Sequence, residues 1–363
     1  MKKLVGLLVL GIILVSLLPA ACTTKTPAPS PAPTVTVTTT APAPTPTEPE
    51  HEIVRTELLM NPHSAGSYKQ FAVLEQIIAK RHPWLRLVVQ ETPGHIYNAT
   101  VFGAEKARWP SQVCGLDPYN QAMAKMGLQP LYEEPLPDIG DMQVLFAYTH
   151  VLTGFLTTNP DIKTIEDLDG KRVGVGLRSQ SGWAQYPRVL IEIGYPNVNA
   201  TIEYMDISKQ PDALLDGLVD AVGALWGTNK QWDPVLSFGS TAELQASGRD
   251  IYHVKYDLAA IERVKVKNIP FIPIEIPANT LPIAQPEAMA NFLTPYYIYA
   301  HKSFPEDIAY EIVKTVIEVQ PEWAEINAMA KFVPGASLCW GVTEENGHPG
   351  AIRAYKEAGL WGK

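Results

Sequence analysis

The sequence has few cysteines and no concentrated block of positive charge. Cys22, Cys114 and Cys339 are the only cysteines in 363 residues, which excludes a dense disulfide framework. The formal net charge is −9, and the basic residues are not clustered as they are in nucleic-acid-binding proteins. We therefore expect no nucleic acid partner. Cys114 and Cys339 could pair in an exported protein, but spacing alone leaves their pairing open, because a disulfide needs close Cα atoms.

Motifs typical of catalytic and metal sites are also missing. The eight histidines show neither an H-E-x-x-H pattern nor another tight metal-ligand spacing. Gly174 and Gly176 begin a pattern that has Ser179 where a dinucleotide-binding fingerprint needs its third glycine. Ser181 lacks the G-x-S-x-G spacing of a nucleophile elbow. We therefore predict that the protein is not an enzyme and has no catalytic residue, no cofactor and no metal ligand.

The N-terminus has the pattern of an export signal. Lys2 and Lys3 precede an apolar run over residues 4–18, which is shorter than the ~20 residues that a membrane-spanning helix needs. Small residues then lead to Cys22, and a cysteine in this place resembles the lipobox of bacterial lipoproteins. That resemblance implies a lipoprotein signal peptide over residues 1–21 and acylation of Cys22. The alternatives are an ordinary secretory signal and an uncleaved anchor, and both also place the remaining chain outside the cytoplasm.

Residues 22–50 consist largely of Thr, Pro and Ala. Such a segment cannot bury enough apolar surface to offset the entropy lost on ordering. We interpret it as a Pro/Thr-rich tether, which in polyproline form reaches on the order of 80 Å at ~3.1 Å per residue. That length is enough to hold a folded body away from a membrane surface.

Strand and helix patterns alternate from residue 53 onward. A strand pattern over residues 53–60 precedes Phe71, Leu74 and Ile77, which recur at helical spacing, and residues 85–89 form a second apolar strand. This is a βαβ pattern, and it predicts parallel sheets covered by helices. The same pattern continues with strands at 112–115, 144–148, 172–175, 202–205 and 221–225, and with helices at 117–126 and after Gly182.

The C-terminal third has mainly helical patterns. Pro at or near a first turn predicts helices over residues 305–319, 321–331 and 349–358. The run over residues 296–299 reads chiefly as a strand. The folded part has roughly 310 residues, which is too long for one small core and suits two lobes.

Four segments resemble those of one receptor family. Residues 164–176 (TIEDLDGKRVGVG) are similar to a segment that several kinds of extracytoplasmic solute-binding protein share. Residues 214–221, the turn at residues 64–68 and the C-terminal segment 348–359 (HPGAIRAYKEAG) resemble the TAXI family, the receptors of TRAP transporters. The family's G-S-G-T-E turn is replaced here by residues 178–183 (RSQSGW).

The resemblance implies an α/β, two-lobe periplasmic-binding-protein fold of type II with a ligand cleft between the lobes. We predict lobe 1 over residues 51–150, lobe 2 over 151–275 and a return to lobe 1 with C-terminal helices over 276–363. The crossing segments are expected near residues 148–160 and 270–285.

Two turns are candidate anion sites. Ser64 and Ser67 lie between a strand and a helix, where free backbone N–H groups favour an anion. In the second lobe, Arg178 can hold a carboxylate by two hydrogen bonds, and the polar side chains that follow it add neutral donors. The same residue types also suit helix caps and an ordinary surface arginine.

Other candidates lie after strands or in segments that resemble family loops. His95 and Asn98 lie in a loop similar to the family's T-x-G-G-S-x-x-N segment, and Tyr119 follows a strand end, where α/β proteins bind ligands. Asp117 is interpreted as a helix cap, and Trp226 either walls the cleft or belongs to the core. The predicted ligand-binding residues are Ser64, Ser67, Tyr68, His95, Asn98, Tyr119, Arg178, Ser179, Gln180, Ser181 and Trp226.

The resemblance implies a monomeric extracytoplasmic receptor, lipid-anchored to the outer face of the cytoplasmic membrane. It would capture a small organic anion, an amino acid or dicarboxylate similar to glutamate, and deliver it to the membrane subunits of a TRAP transporter. The alternative is an ABC-type or sensory solute-binding lipoprotein for another small anion. The genomic neighbourhood discriminates between them, because a TRAP receptor is expected beside a large permease gene.

Overall fold

A computed structural model describes residues 52–63, 65–127, 131–267 and 269–363. The predicted signal peptide, the tether, Cys22 and the candidate Ser64 lie outside these residues. Within the described part of the chain, no helix is both long enough and apolar enough to cross a membrane.

The strands of the described residues form one sheet in the order β2-β1-β3-β11-β4-β7-β5-β6. Strands β10, β8 and β9 pair at the side of this path with β11, β7 and β4. The strands are β1 Val54–Leu59, β2 Leu85–Gln90, β3 Gln112–Leu116, β4 Met142–Thr157, β5 Arg172–Val175, β6 Thr201–Tyr204, β7 Ala221–Thr228, β8 Leu236–Ser237, β9 Tyr252–Val254, β10 Ile272–Ile276 and β11 Met289–His301.

Most strands between residues 54 and 265 are followed by an α-helix. The α-helices are α1 Gly66–Arg81, α2 His95–Ala104, α3 Pro118–Met126, α4 Tyr186–Gly194, α5 Gln210–Leu215, α6 Gly239–Ala246, α7 Leu258–Lys265, α8 Glu306–Ile326 and α9 Pro349–Glu357. A single π-helical turn, Ser181–Gln185, leads into α4.

Two long antiparallel strands run through the middle of the sheet and join its halves. Residues 142–152 of β4 pair with residues 293–301 of β11, which also pairs with β3. On its other edge, β4 pairs with β7 over residues 150–156. Each end of β4 therefore belongs to a different group of parallel strands. We name the part built around β1, β2 and β3 lobe 1, and the part built around β5, β6 and β7 lobe 2.

The predicted α/β class is confirmed, but the expectation of parallel sheets is only partly right. The parallel pairs are β1 with β2 and β3, and β5 with β6 and β7. Strands β4, β10 and β11 are antiparallel to their neighbours. The pattern of buried residues on β4 does not alternate, because helices and loops cover both faces of this central strand.

One predicted helix boundary is wrong. Pro321 was expected to start a new helix, but it lies inside α8. An internal proline costs a helix about 3 kcal/mol. The helix continues because the residues around Pro321 are buried in the core, and Trp323 also donates a hydrogen bond from Nε1 to the Gln70 carbonyl at 2.8 Å. Tertiary packing therefore overrides the local signal.

Both cysteines of the described residues are buried and free. Cys114 lies on β3, and Cys339 ends a short helical turn, Gly335–Cys339. The disulfide that the sequence left open is not formed. The lobe boundaries predicted above remain predictions.

Candidate functional site

The candidate site lies at the carboxyl ends of strands from the two parallel groups. Asn61 follows β1, His95 follows β2, Asp117 follows β3, and Ser181 follows β5 of the other group. Ligands of α/β proteins bind at the carboxyl ends of parallel strands because the loops that leave the strands and the N-termini of the next helices converge there. The first three residues belong to lobe 1, and Ser181 belongs to lobe 2.

Asp117 organises the lobe 1 side of the site. Its Oδ1 accepts a hydrogen bond from the Asn120 backbone N–H at 3.0 Å, which caps α3. Its Oδ2 accepts from His95 Nδ1 at 2.8 Å and from Asn120 Nδ2 at 2.6 Å. Both side chains are held in place by their helices, since His95 begins α2 and Asn120 lies in the first turn of α3.

A hydrogen-bonded contact at Asp117 joins the two lobes directly. The Ser181 hydroxyl donates to Asp117 Oδ2 at 3.1 Å and accepts from Asn120 Nδ2 at 2.6 Å. Asp117 and Asn120 have no exposed surface, and Ser181 is 7% exposed. Because these bonds are shielded from water, they contribute more to holding the lobes together than the same bonds at a surface.

Aromatic side chains complete this set, which we call the inter-lobe cluster. His95 Nε2 is 2.9 Å from the Tyr148 hydroxyl, and the His95 ring meets the Tyr296 ring edge-on at 5.0 Å between centroids. The Tyr132 hydroxyl donates to Asn120 Oδ1 at 3.3 Å. The members of the inter-lobe cluster are His95, Asp117, Asn120, Tyr132, Tyr148, Ser181 and Tyr296.

Asp117 is the acidic group of the inter-lobe cluster. Burial by itself raises the pKa of the Asp117 carboxyl, but the hydrogen bonds and charge of His95 and the hydrogen bonds of Asn120 outweigh it, and the pKa is lowered from its ordinary value. Burial raises the pKa of the Tyr148 and Tyr186 hydroxyls well above the ordinary value. At neutral pH the cluster therefore contains an ionised carboxylate among neutral phenols.

Serine, histidine and aspartate meet here without forming a nucleophilic triad. In such a triad the serine hydroxyl bonds to histidine Nε2, so that the imidazole can take its proton. Here Ser181 bonds to the carboxylate, and the Tyr148 hydroxyl occupies His95 Nε2. The arrangement can bind and orient a polar ligand, but it does not activate Ser181 for attack.

The first predicted turn lies at the start of α1. The Ser67 hydroxyl accepts a hydrogen bond from Asn61 Nδ2 at 2.6 Å, which ties the turn to the end of β1. The Tyr68 ring lies 5.0 Å from the His63 ring and is half-buried. Neither Ser67 nor Tyr68 bonds to the residues of the inter-lobe cluster in the described chain.

The second predicted turn is mostly exposed. The Arg178 guanidinium lies over the Tyr204 ring, with 4.0 Å between its Cζ and the ring centroid, and forms no ion pair with a described residue. Ser179 is exposed, and Gln180 Oε1 accepts from the Leu177 N–H at 2.9 Å. Of this turn, the structure brings only Ser181 into the inter-lobe cluster.

Three further predicted residues are held in the interior. Asn98 Nδ2 donates to the carbonyls of Met60 at 2.6 Å and Gly115 at 2.9 Å, which joins the ends of β1 and β3. Tyr119 packs edge-on against Tyr186, behind the cluster. Trp226 lies in a second hydrophobic core around β7. A ligand contact for these residues remains a prediction.

Sequence reasoning missed several residues of the cluster. Asp117 was interpreted as a cap, which it is, but its second oxygen also joins the lobes. Asn120, Tyr148 and Tyr296 were not singled out as ligands. The Asp-Pro pair at a strand end was the available signal for Asp117. Nothing local marks the tyrosines, because they reach the site from β4 and β11 through tertiary pairing. No group of three or more potential metal ligands occurs among the described residues.

Comparison with known proteins places this site in a family. The model of the NMT1-like family matches residues 77–359. A comparison with curated proteins gives no significant match. Among solved structures, a TctC solute-binding protein from Polaromonas is 13% identical over 79% of this chain and 88% of its own, with a TM-score of 0.45. A Rhodopseudomonas palustris protein, Rpa4515 with adipate, is 13% identical over 86% and 94%, with a TM-score of 0.45.

The described chain has the α/β class that the sequence predicted, with two groups of parallel strands joined through β4 and β11. The matched region covers well over half of the chain, and the chain belongs to the NMT1-like family.

Proposed function

We propose that this protein is a solute-binding receptor of the TAXI type. It captures a small organic anion, an amino acid or a dicarboxylate, between its lobes. It then delivers this ligand to a TRAP permease. The observation that supports a ligand between the lobes is the bond from Ser181 to Asp117. Buried polar groups of both lobes meet at the edge where α/β proteins bind ligands. A ligand that takes the place of Ser181 would contact both lobes at once.

The anionic part of the ligand is assigned to the turn at Arg178. This guanidinium is exposed and has no carboxylate partner among the described residues, so it is available for a ligand. A guanidinium holds a carboxylate by two parallel hydrogen bonds. The Tyr204 ring beneath the guanidinium limits the orientations that the guanidinium can adopt.

Signalling to the permease would follow from lobe closure. A ligand that contacts both lobes favours the closed state only by the difference between its affinities for the closed and open states. The long strands β4 and β11 connect the lobes, so a small rotation about their middle changes the outer surface on both sides. A permease that recognises the closed surface would then accept only loaded receptor.

The ligand is tested by thermal unfolding of the full-length chain in mild detergent. The panel contains glutamate, glutamine, 2-oxoglutarate, C4-dicarboxylates, branched-chain 2-oxo acids, taurine and nitrate. A ligand at ~100 times its Kd stabilises the fold by about 2.7 kcal/mol, which raises Tm by several degrees. A rise with a carboxylate that Arg178→Ala abolishes supports the proposal. The exposed Arg249→Ala is the matched control. No rise with any compound contradicts the proposed ligand class.

The anchor and partner are proposed separately. Acylation of Cys22 would hold the protein at the outer face of the cytoplasmic membrane, and Cys22→Ala should release it into the soluble fraction.

A TRAP permease gene beside this gene, and co-purification of the loaded receptor with that permease, would support the TAXI assignment. A neighbouring ABC transporter or sensor kinase would instead favour the other receptor classes. Light scattering at a monomer mass tests the proposed monomeric state.

A further inference from the structure

An acidic side chain stands at the centre of the inter-lobe cluster. Asp117 has no exposed surface, and its hydrogen-bond donors in the described chain are His95, Asn120 and Ser181. His95, whose Nδ1 is 2.8 Å from Oδ2, is the one basic side chain bonded to this carboxylate among the described residues, and no described lysine or arginine forms an ion pair with it. The other cluster members are neutral amides, hydroxyls and phenols apart from His95. A ligand that enters here meets a carboxylate at its centre.

Ser181 is the only one of these donors that comes from the opposite lobe. His95 and Asn120 are bound to Asp117 within lobe 1, and Asn120 also closes the helix cap. When a ligand separates Ser181 from Asp117, one hydrogen-bonding position on Oδ2 becomes free while the two lobe 1 donors remain. A ligand must then supply a donor in that place, because leaving a buried carboxylate short of a donor costs free energy.

Further hydroxyl groups face the same side of the sheet. Thr149 lies directly opposite Tyr296 in the β4–β11 register, and residues opposite each other point to the same face. Thr294, two residues before Tyr296, shares that face. Thr149 is 2% exposed and Thr294 is 1% exposed, and neither hydroxyl has a hydrogen-bond partner among the described residues. These oxygens can accept hydrogen bonds from a ligand.

We propose that the ligand presents a protonated amino group to Asp117, so that this carboxylate selects amino compounds over dicarboxylates and 2-oxo acids of the same length. This inference rests on the proposed function, because it assigns one end of the ligand in that same site. An ammonium group has three donors and no acceptor. Asp117 Oδ2 takes one donor, and the buried Thr149 and Thr294 hydroxyls, which have no partner among the described residues, are candidate acceptors for the others.

A second carboxylate at this position would be unfavourable. Two like charges brought together in a buried site destabilise each other, and one of them must take up a proton. Hydroxyl groups can both donate and accept hydrogen bonds, so Asp117 is the group of the site that discriminates against a second carboxylate.

The test uses ligands that differ only at the amino group. Binding of glutamate, 2-oxoglutarate and glutarate is measured by calorimetry on the full-length chain, with 1,5-diaminopentane as an amine that lacks carboxylates. We expect the amino compound to bind at least about 10-fold more tightly than its oxo and unsubstituted analogues, as for a hydrogen bond to a charged group.

The variant Asp117→Asn removes the charge and keeps the cap. Asparagine caps helices as well as aspartate does, so α3 should persist. We expect the preference for the amino compound to fall by about 10 to 100-fold. The matched control is Asp257→Asn, since Asp257 caps α7 in the same way, accepting from the Ala260 N–H at 2.6 Å, and is exposed. This control should leave the preference unchanged.

The outcomes separate the two proposals. Equal or tighter binding of 2-oxoglutarate or glutarate overturns the inference and leaves the proposed receptor function intact. An amino-group preference that survives in Asp117→Asn overturns the role of Asp117. Binding of the diamine alone supports the ammonium position and overturns the anionic ligand class. No binding of any compound overturns the proposed ligand class and this inference with it.

Discussion

The Ser181 hydroxyl of lobe 2 donates a hydrogen bond to the Asp117 carboxylate of lobe 1 at 3.1 Å, inside a site closed to solvent. Sixty-four residues of sequence separate the two side chains. The same hydroxyl accepts from Asn120, so one small side chain satisfies two groups of the facing lobe. A ligand that enters between the lobes must therefore replace the Ser181 hydroxyl at Asp117 and Asn120.

Replacing Ser181 with alanine should loosen the contact between the lobes. The change removes one donor to Asp117 and one acceptor from Asn120, and we expect a loss of about 0.5 to 1.5 kcal/mol in the free energy of unfolding. It should also shift the ligand-free protein toward a more open shape, measurable as an increased radius of gyration in solution scattering. Ser179→Ala, at an exposed position two residues earlier, is the control. Identical scattering of the two variants would contradict this.

Replacing Gly182 with alanine should hinder closure more than folding. An added methyl group would lie 2.7 Å from the Tyr296 hydroxyl and 3.0 Å from a Leu225 methyl, both closer than ordinary contact. We expect ligand affinity to fall by about 10-fold or more, as for a poorly tolerated overpacked contact. Calorimetry measures the affinity. Gly103→Ala on α2, whose methyl would lie 3.7 Å from Leu136, should bind like the wild type.

His150 should make the protein less stable as the pH falls. Burial lowers the pKa of His150 to about 3, whereas an exposed histidine takes up its proton near pH 6.5. Below about pH 6.5 the unfolded chain therefore binds a proton that the folded chain does not, and stability falls by up to about 1.4 kcal/mol per pH unit until about pH 3.

The measurement for His150 is the unfolding free energy from denaturant titrations between pH 7 and pH 4.5. The variant His150→Gln should show a shallower decline with falling pH than the wild type. The other histidines are the same in both proteins, so the difference between the two slopes measures the contribution of His150. His63→Gln, at an exposed site, should keep the wild-type slope. A wild-type slope in His150→Gln would contradict the assignment.

Asn98 should matter for folding. Its amide donates to the Met60 and Gly115 carbonyls and its Oδ1 is 2.6 Å from the Thr92 hydroxyl, with no exposed surface. Asn98→Ala removes these buried bonds, although the Thr92 hydroxyl still donates to the Met60 carbonyl, and we expect a loss of about 1 to 3 kcal/mol, seen as a lower denaturant midpoint. Thr100→Ala, which removes an exposed hydroxyl bond to the Ile96 carbonyl, should cost far less.

Cys114 and Cys339 should behave as two free but protected thiols. Burial raises the pKa of both thiol groups, so the reactive thiolate is scarce as well as inaccessible. We expect neither to be alkylated by iodoacetamide in the native protein and both to be alkylated in denaturant without reductant. Peptide mapping by mass spectrometry tests this. A Cys114–Cys339 crosslinked peptide would show that they pair.

Local patterns predicted the strand and helix order of lobe 1 well. Residues 53–60, 85–89 and 112–115 are strands in the structure, because apolar runs bounded by turn residues have few alternatives. The C-terminal third was less predictable. Strand β11 was recognised only over residues 296–299, and Pro321 was interpreted as a helix start. In β11, burial on both faces hides the alternation that marks a strand.

The candidate site was predictable only in part. His95 and Ser181 were identified from segments that resemble a family loop and a family turn, and both lie in the inter-lobe cluster. Their meeting at Asp117 was not predictable, since it depends on how two lobes are joined through β4 and β11. Arg178 was selected because a guanidinium can hold a carboxylate. In the structure it is exposed, in the same turn as Ser181 but outside the inter-lobe cluster.

The sequence by itself determined the α/β class, the order of the main elements and the absence of known catalytic and metal motifs, because these depend on residue periodicity and short spacings. Only the tertiary structure decided which polar groups are buried together, that Ser181 bonds to Asp117, and that the two cysteines stay apart. Those outcomes depend on the pairing of strands far apart in the chain, where no local propensity acts. They are set by how the two long central strands place one lobe against the other.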